Sequence, residues 1–357
     1  MHLFTRAFCA TVAVGLLAGC SGSNLPAASS SAPVGMEANH LVNGHFVPEW
    51  SKLANLIPME LQPGPQRVLD RIVPDKHKGT GVVGIYGSQF YAAKTNGYKG
   101  GDPKNAPPVC SLSASYLNDI STDAKGDLIE PDGGTRTIIV YKGPKLCGPS
   151  LGTISDPYGQ PSDAASLNAA TGIIIVGGIF GTSGAGGIAI CTLARGCYKF
   201  LKNPAMYEVA GVALAKNGDC WDSGSTSAGV ASLIYFKHCS GSGKAATGFK
   251  NTYYGGLDID AEGNIVAIDS FTPQLWIYSG CNPRCKVVGG PFPFHGDSVY
   301  GHLNGPGTEL IAGDYALGAL DVYKYSTKAL TYQYSINNGL DVSDDVEGAA
   351  FDPHSKE

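Results

Sequence analysis

The chain carries little charge: only 15% of its residues are Asp, Glu, Lys or Arg, and the basic residues are not clustered. That argues against a nucleic-acid surface, which needs a basic patch or stripe. After a short apolar run at the start there is no second hydrophobic span, so no bilayer-crossing helix is expected downstream. Between residues 119 and 347 no stretch of ten or more residues keeps a 3.6-residue apolar period, and glycine interrupts throughout, which excludes helical repeats. No C-x-x-C pair and no C-x-x-C-H occurs. Zinc ribbons and haem attachment therefore have no support. Gly241-Ser-Gly-Lys-Ala245 looks like part of a phosphate-binding loop, but His238 stands where the first Gly belongs and Ala245 where the metal-binding hydroxyl belongs.

What is abundant is turn chemistry. With 49 Gly, 22 Pro and 18 Tyr, and 43% apolar residues overall, the composition is that of a turn-rich β protein. The formal net charge is -5.

At the start, Arg6 leads into the apolar run Ala7 to Leu17, which has the length and flanks of a secretory signal. It ends in Leu17-Ala18-Gly19-Cys20, which resembles the lipobox of bacterial lipoproteins. The resemblance implies cleavage after residue 19 and lipidation of Cys20. An ordinary cleavage site ahead of a chance cysteine is the alternative. Residues 20–35 are mostly Ser, Ala, Pro and Gly with no aromatic residue, a composition too poor in apolar surface to fold, and read as a tether. Ser21 rather than Asp suits sorting to an outer membrane in a Gram-negative host. Residues 36–78 form an extension in which Trp50, Leu53, Leu56 and Ile57 suggest a short apolar helix face stopped by Pro58.

The fold is legible in an internal repeat. Asp119-Ile-Ser-Thr-Asp-Ala-Lys-Gly, Ala165-Ser-Leu-Asn-Ala-Ala-Thr-Gly, Gly211-Val-Ala-Leu-Ala-Lys-Asn-Gly, Gly256-Leu-Asp-Ile-Asp-Ala-Glu-Gly, Gly301-His-Leu-Asn-Gly-Pro-Gly and Gly348-Ala-Ala-Phe-Asp-Pro start 46, 46, 45, 45 and 47 residues apart. A second column follows in register: Ile139-Val-Tyr-Lys142, Ala189-Ile-Cys-Thr192, Ile234-Tyr-Phe-Lys237, Trp276-Ile-Tyr-Ser279 and Asp321-Val-Tyr-Lys324. Units of this length with several short β stretches are propeller blades, which bury both faces only against their neighbours. The sixth unit stops after its first strand, and the segments at 82–86, 96–99 and 109–112 supply the other three. The expectation is an all-β, six-bladed β-propeller over residues 79–357 whose last blade is closed by both termini. Five or seven blades are the alternatives.

Ten cysteines are present, and eight remain once Cys9 leaves with the signal and Cys20 takes the lipid. An even number outside the cytoplasm points to disulfides. The blade alignment sets Cys220 against Cys239, Cys191 against Cys197, Cys281 against Cys285, and leaves Cys110 to tie the shared blade to its successor through Cys147.

These units resemble the NHL-repeat and TolB-like six-bladed propellers, whose blades read Gly-Leu-Ala-Val-Asp-x-x-Gly-Asn-Leu-Tyr-Val-Ala-Asp; Gly256 to Asp269 with Leu275-Trp-Ile-Tyr278 is the nearest match. The resemblance implies the fold and leaves function open, because such rings include binding scaffolds, sensors and a few hydrolases or lyases. Residues just ahead of each first strand converge on the channel mouth: Tyr116, Asn118, Glu208, Tyr253, Tyr300, Asp345 and Glu347, with Ser162, Ala164, Ala210, Gly255 and Ser298 at the other places. They suit a small polar or glycan-like ligand, or simply a solvated mouth. Glu347-Gly-Ala-Ala-Phe-Asp-Pro353 also resembles the start of gluconolactonase-type propellers, in which a Glu, two Asn and an Asp hold a divalent metal. Here Glu347 and Asn118 occupy ligand-like places while Ala164, Ala210, Gly255 and Tyr300 occupy the others, too few donors for a hard cation. His302 falls on a first-strand column with no partner assignable from sequence.

The expectation is a non-enzymatic, lipid-anchored scaffold, monomeric and without cofactor or resident metal, that meets an envelope protein, glycan or small ligand. A metal-assisted hydrolase or lyase is the alternative. If Cys20 is the anchor, Cys20→Ser abolishes incorporation of labelled palmitate and moves the protein from the membrane to the soluble fraction; undiminished labelling would contradict this.

Overall fold

A computed structural model describes residues 40–42, 45–47, 84–99, 106–179, 186–253 and 255–352. The signal, Cys20, the tether and the Trp50–Pro58 stretch lie outside the described residues. His40–Val42 pairs with His45–Val47 as a small antiparallel hairpin that the sequence did not suggest.

The rest of the described chain forms six four-stranded antiparallel sheets. The first blade runs Ser121–Thr122, Leu128–Asp132, Thr137–Tyr141, Ser150–Ser155, and the second Gln160–Ser166, Ile174–Ile179, Gly187–Thr192, Gly196–Lys202. The third runs Glu208–Leu214, Cys220–Ser225, Ala231–Phe236, Lys244–Ala245, and the fourth Leu257–Ile259, Ile265–Asp269, Gln274–Ser279, Lys286–Pro293. The fifth runs Gly301–Leu303, Glu309–Asp314, Ala319–Ser326, Ala329–Ile336. In the shared blade Val346–Asp352 lies innermost and pairs with Gly84–Gln89, followed by Lys94–Lys99 and Cys110–Ser113. Each innermost strand touches the innermost strands of the blades before and after it, so the six close into a ring.

The repeated Asp-x-x-Gly-Asn/Asp turn has a direct physical reading. After the first strand, Asp260 Oδ1 accepts hydrogen bonds from the Glu262 and Asn264 amides at 3.0 and 2.8 Å. Asp123 does the same with Lys125 and Asp127 at 2.7 and 3.0 Å. The carboxylate thus closes the hairpin, and the chain turns through Gly263 at φ +82°, a conformation that a side chain disfavours. A second Asp, ending the second strand, clamps the segment that leads into its own blade. Asp132 accepts from the Ser115 amide and hydroxyl at 2.9 and 2.6 Å, and Asp269 accepts from the Thr252 amide at 2.7 Å and the Tyr253 amide at 3.1 Å.

The apolar core lies between blades. Ile129, Ile138, Val140 and Ile154 of the first blade meet Ile174, Val176 and Ala189 of the second. Ile175, Ile188 and Ile190 on the opposite face of that second blade meet Val209, Val212, Ile234 and Phe236 of the third. Ile311, Leu320 and Val322 of the fifth blade meet Ile85, Tyr98, Val346 and Phe351 of the shared one, whose other face, with Tyr86 and Ala350, meets Ile120 and Leu128. Alternate residues of each strand point to opposite faces, so every blade feeds two seams. Each Ile or Leu buried there contributes about 1.5–3 kcal/mol.

All four expected disulfides are present: Cys110–Cys147, Cys191–Cys197, Cys220–Cys239 and Cys281–Cys285. Cys239 sits in a single 3-10 turn just past the third strand rather than on it. The loops closed span 37, 6, 19 and 4 residues in that order. On chain entropy the first is worth about 4 kcal/mol and the last about 2. Cys110–Cys147 therefore reinforces the seam beside the shared blade, while the shortest staple trims one hairpin.

Two buried carboxyls interrupt these apolar seams. Glu130 and Asp222 stand at the second-strand position that Val176, Ala267, Ala312 and Gly87 fill elsewhere, as the pairing registers show. Both are 0% exposed. Burial first, then the neighbouring Asp132, pushes the Glu130 carboxyl up to about 8. Its folded value lies above its unfolded one, so its contribution to stability is complete below the unfolded value and is lost as pH rises through about 8. Glu130→Gln should therefore melt like the wild type near pH 5 and several degrees higher near pH 8.5, measured by circular dichroism. An unchanged difference between the two melts across that range would contradict the assignment.

Candidate functional site

The site is built on the innermost strands, which converge where the six blades meet. Matching their pairing to the second strands gives the equivalent positions. One level carries Asp119, Asp163, Gly211, Gly256, Tyr300 and Gly348; two residues further along, the next carries Ser121, Ala165, Ala213, Asp258, His302 and Ala350. At each level one large ring enters and small residues stand at most of the other places. A side chain at Gly256 would press against Tyr300.

His302 reaches across the channel. Its Nε2 lies 3.1 Å from Asp119 Oδ2, two blades on, and its Nδ1 lies 3.6 Å from Asp258 Oδ2, in the blade before. Asp163, three blades from His302, completes a cluster in which one ligand atom from each of Asp119, Asp163 and His302 lies within 4.8 Å of the others. Every carboxylate is held by backbone. Asp119 Oδ1 accepts from the Ile120 amide at 2.8 Å, and Asp163 Oδ2 from the Val212 amide of the next blade at 2.6 Å. Asp258 accepts from the Ile259 and Leu303 amides at 2.6 and 2.7 Å. Asp163 Oδ1 is buried with no hydrogen-bond partner among the described residues.

The electrostatics follow from burying several acids beside one imidazole. Burial alone would lower the His302 pKa, but the carboxylates of Asp119 and Asp258 outweigh it and hold the ring protonated well above the ordinary histidine range. Asp163 is pushed well above the usual carboxylate range by burial and then by Asp119. Glu347 is raised by burial and then by Asp345 and Asp119, and the Tyr300 hydroxyl by burial and then by Glu347, Asp119, Asp163 and Glu208. The Tyr300 hydroxyl thus lies within electrostatic reach of Glu347, Asp119, Asp163 and Glu208.

Of the seven residues proposed from sequence, Asn118, Glu208, Tyr300 and Glu347 are buried, whereas Tyr116, Tyr253 and Asp345 are half-buried. Both polar atoms of the Asn118 amide are buried without a hydrogen-bond partner among the described residues. Tyr116 packs edge-on against Phe90, with 3.7 Å between ring centroids, and Tyr253 packs near Tyr300 and Ala210. Glu208 accepts from the Ser225 hydroxyl at 2.8 Å. Burial, then Asp344, pushes Asp345 up to about 6.

Two alignments are corrected. The place equivalent to Asn118 is held by Ser162 rather than Ala164, and in the fifth blade by Val299 rather than Tyr300. Ser162 is already committed, donating towards the Gly177 and Val209 carbonyls at 3.1 and 3.0 Å. Glu347 and Asn118 thus remain the only lactonase-type donors at their level. The acids Asp119, Asp163 and Asp258 were missed, and His302, which had no assignable partner, has two within 3.6 Å.

A second cluster joins His295, Asp314 and Asp321 of the fifth blade. Asp321 there also accepts from the Tyr323 and Ser335 hydroxyls at 3.0 and 2.6 Å, and His295 stacks on Tyr332 at 4.1 Å, so the group ties strands together.

No protein-family model matches the chain, and no curated protein matches it. Among solved structures, a chain of a nidogen/laminin complex aligns with 77% of this chain and 99% of its own length, at a TM-score of 0.55 and 10% identity. A protein of unknown function from Bacteroides caccae aligns with 75% of this chain and 98% of its own, at a TM-score of 0.54 and 9% identity. At such identities the likeness extends to the fold alone.

Proposed function

We propose that the chain is a lipid-anchored, extracytoplasmic binding propeller of the NHL-repeat and TolB-like kind, whose channel receives a small polar ligand offered by the cell envelope. The observation that carries this reading is the fully buried Asn118 amide, with neither its nitrogen nor its oxygen partnered among the described residues. A buried amide in that state costs about 1–3 kcal/mol for each unsatisfied group, which a hydroxyl-bearing ligand offsets. Glu347 and Glu208 stand with it as acceptors or, when protonated, donors. The half-buried faces of Tyr116 and Tyr253 suit stacking on a sugar or similar ring.

Four disulfides accord with an oxidising compartment, and no helix among the described residues is long and apolar enough to cross a membrane. The hydrolase reading is the weaker one. The eight ring cysteines are paired, and the hydroxyls of Ser121 and Ser162 are spent on backbone carbonyls.

The test is capture from envelope extract onto immobilised ring, followed by mass spectrometry of what is released. The wild type should retain a small polar ligand and release it chemically unaltered. Asn118→Ala combined with Glu347→Gln should reduce retention at least tenfold. A ligand recovered hydrolysed or rearranged would favour the enzyme, and no retention by the wild type would count against a ligand site in the channel.

A further inference from the structure

Asp119, Asp163 and His302 converge from three blades, with one ligand atom of each within 4.8 Å of the others. Backbone amides occupy Asp119 Oδ1 and Asp163 Oδ2, leaving Asp119 Oδ2 beside the imidazole and Asp163 Oδ1 with nothing to accept from. Two ionised carboxylates cannot donate to each other, so the gap between them asks for a proton or a cation. A histidine–aspartate staple alone would account for Asp119 and leave Asp163 Oδ1 buried and unsatisfied.

The donor set is chemically specific. The 3.1 Å between His302 Nε2 and Asp119 Oδ2 is close to the roughly 3.3 Å edge of a tetrahedron with bonds of about 2.0–2.1 Å. The far side of the imidazole faces Asp258, itself fixed by the Ile259 and Leu303 amides at 2.6 and 2.7 Å. A metal-bound histidine ordinarily gives its second N–H to such an outer carboxylate, which sets the tautomer. One imidazole and two carboxylates are too few for calcium, which takes six to eight oxygens, and a set that includes an imidazole nitrogen suits a first-row divalent metal.

We propose that the channel binds one divalent transition-metal ion of zinc-like chemistry through His302 Nε2, Asp119 and Asp163, with Asp258 as the outer partner of the imidazole. The proposal deepens the reading of the channel as the ligand site and rests on it. Three protein donors leave a coordination position for water or for an oxygen of the ligand, in the neighbourhood of Tyr300 and Glu347. It also replaces the metal-free channel expected from sequence.

The experiment uses untagged mature protein, stripped by chelator and titrated with Zn²⁺. One equivalent should survive dialysis and raise the melting temperature. Asp163→Asn and His302→Gln should each weaken binding at least a hundredfold, and Asp258→Asn ten- to a hundredfold. Asp314→Asn, in the outer cluster, should bind as the wild type does. Should the variants fold poorly, Cu²⁺ bound to the wild type must show the electron paramagnetic resonance coupling of a single imidazole nitrogen. No stoichiometric Zn²⁺, binding unaffected by His302→Gln, or an oxygen-only Cu²⁺ spectrum would each overturn the proposal. Ligand capture that persists in Asp163→Asn while Zn²⁺ binding is lost would overturn a metal-mediated ligand contact and leave the binding reading standing.

Discussion

The backbone hydrogen bonds between Val346–Asp352 and Gly84–Gln89 join segments some 260 residues apart, and the ring depends on them. Without that pairing the fifth blade would lose Val346, Ala349 and Phe351 from its seam, and the first blade would lose Ala350 from its own. A propeller blade buries both faces only against two neighbours, so an open ring leaves one sheet face wet and one edge unpaired. Reinforcement concentrates here. Thr122 donates its hydroxyl to the Phe351 carbonyl, Ser88 bridges the Asn118 carbonyl and the Gly348 amide at 3.0 and 2.9 Å, and Cys110–Cys147 crosses the same seam.

Closure also creates the channel and sets its chemistry. Six inner strands converge, and the narrow space admits one large side chain per level, Tyr300 at one and His302 at the next, opposite glycine, alanine and serine at most other places. The acids among them cannot be solvated as they would be outside. Burial and mutual repulsion hold the Asp163 and Glu347 carboxyls above the usual range, the His302 imidazole lies between Asp119 and Asp258, and amides are lent from neighbouring strands. A site of this kind favours cationic or hydroxyl-rich occupants and disfavours anions.

Much of this was legible in the sequence. The near-constant spacing of the repeat units reveals blade number because each unit turns from its first strand into its second, a turn that the carboxylates of Asp123 and Asp260 close in two of them. The cysteine pairs followed once strands were placed. What misled was constancy itself. Between first and second strands the second blade has a longer loop, Ser166 to Ile174, and the fifth a slightly longer one, Leu303 to Leu310, than the Leu214 to Cys220 loop of the third. An alignment anchored on the turn therefore set the first strands of those two blades two and one residues off, pairing Asp119 with Ala165 instead of Asp163 and concealing the partners of His302. Side chains that meet across a channel leave no local spacing to read.

The closure is tested most directly by native-state hydrogen exchange followed by mass spectrometry. The amides of 84–89 and 346–352 should exchange together, in the slowest class, by the same opening that exposes the other inner strands. Rapid exchange of 346–352 while the remaining blades stay protected would contradict the account, because the ring would then stand without the strand that is said to close it.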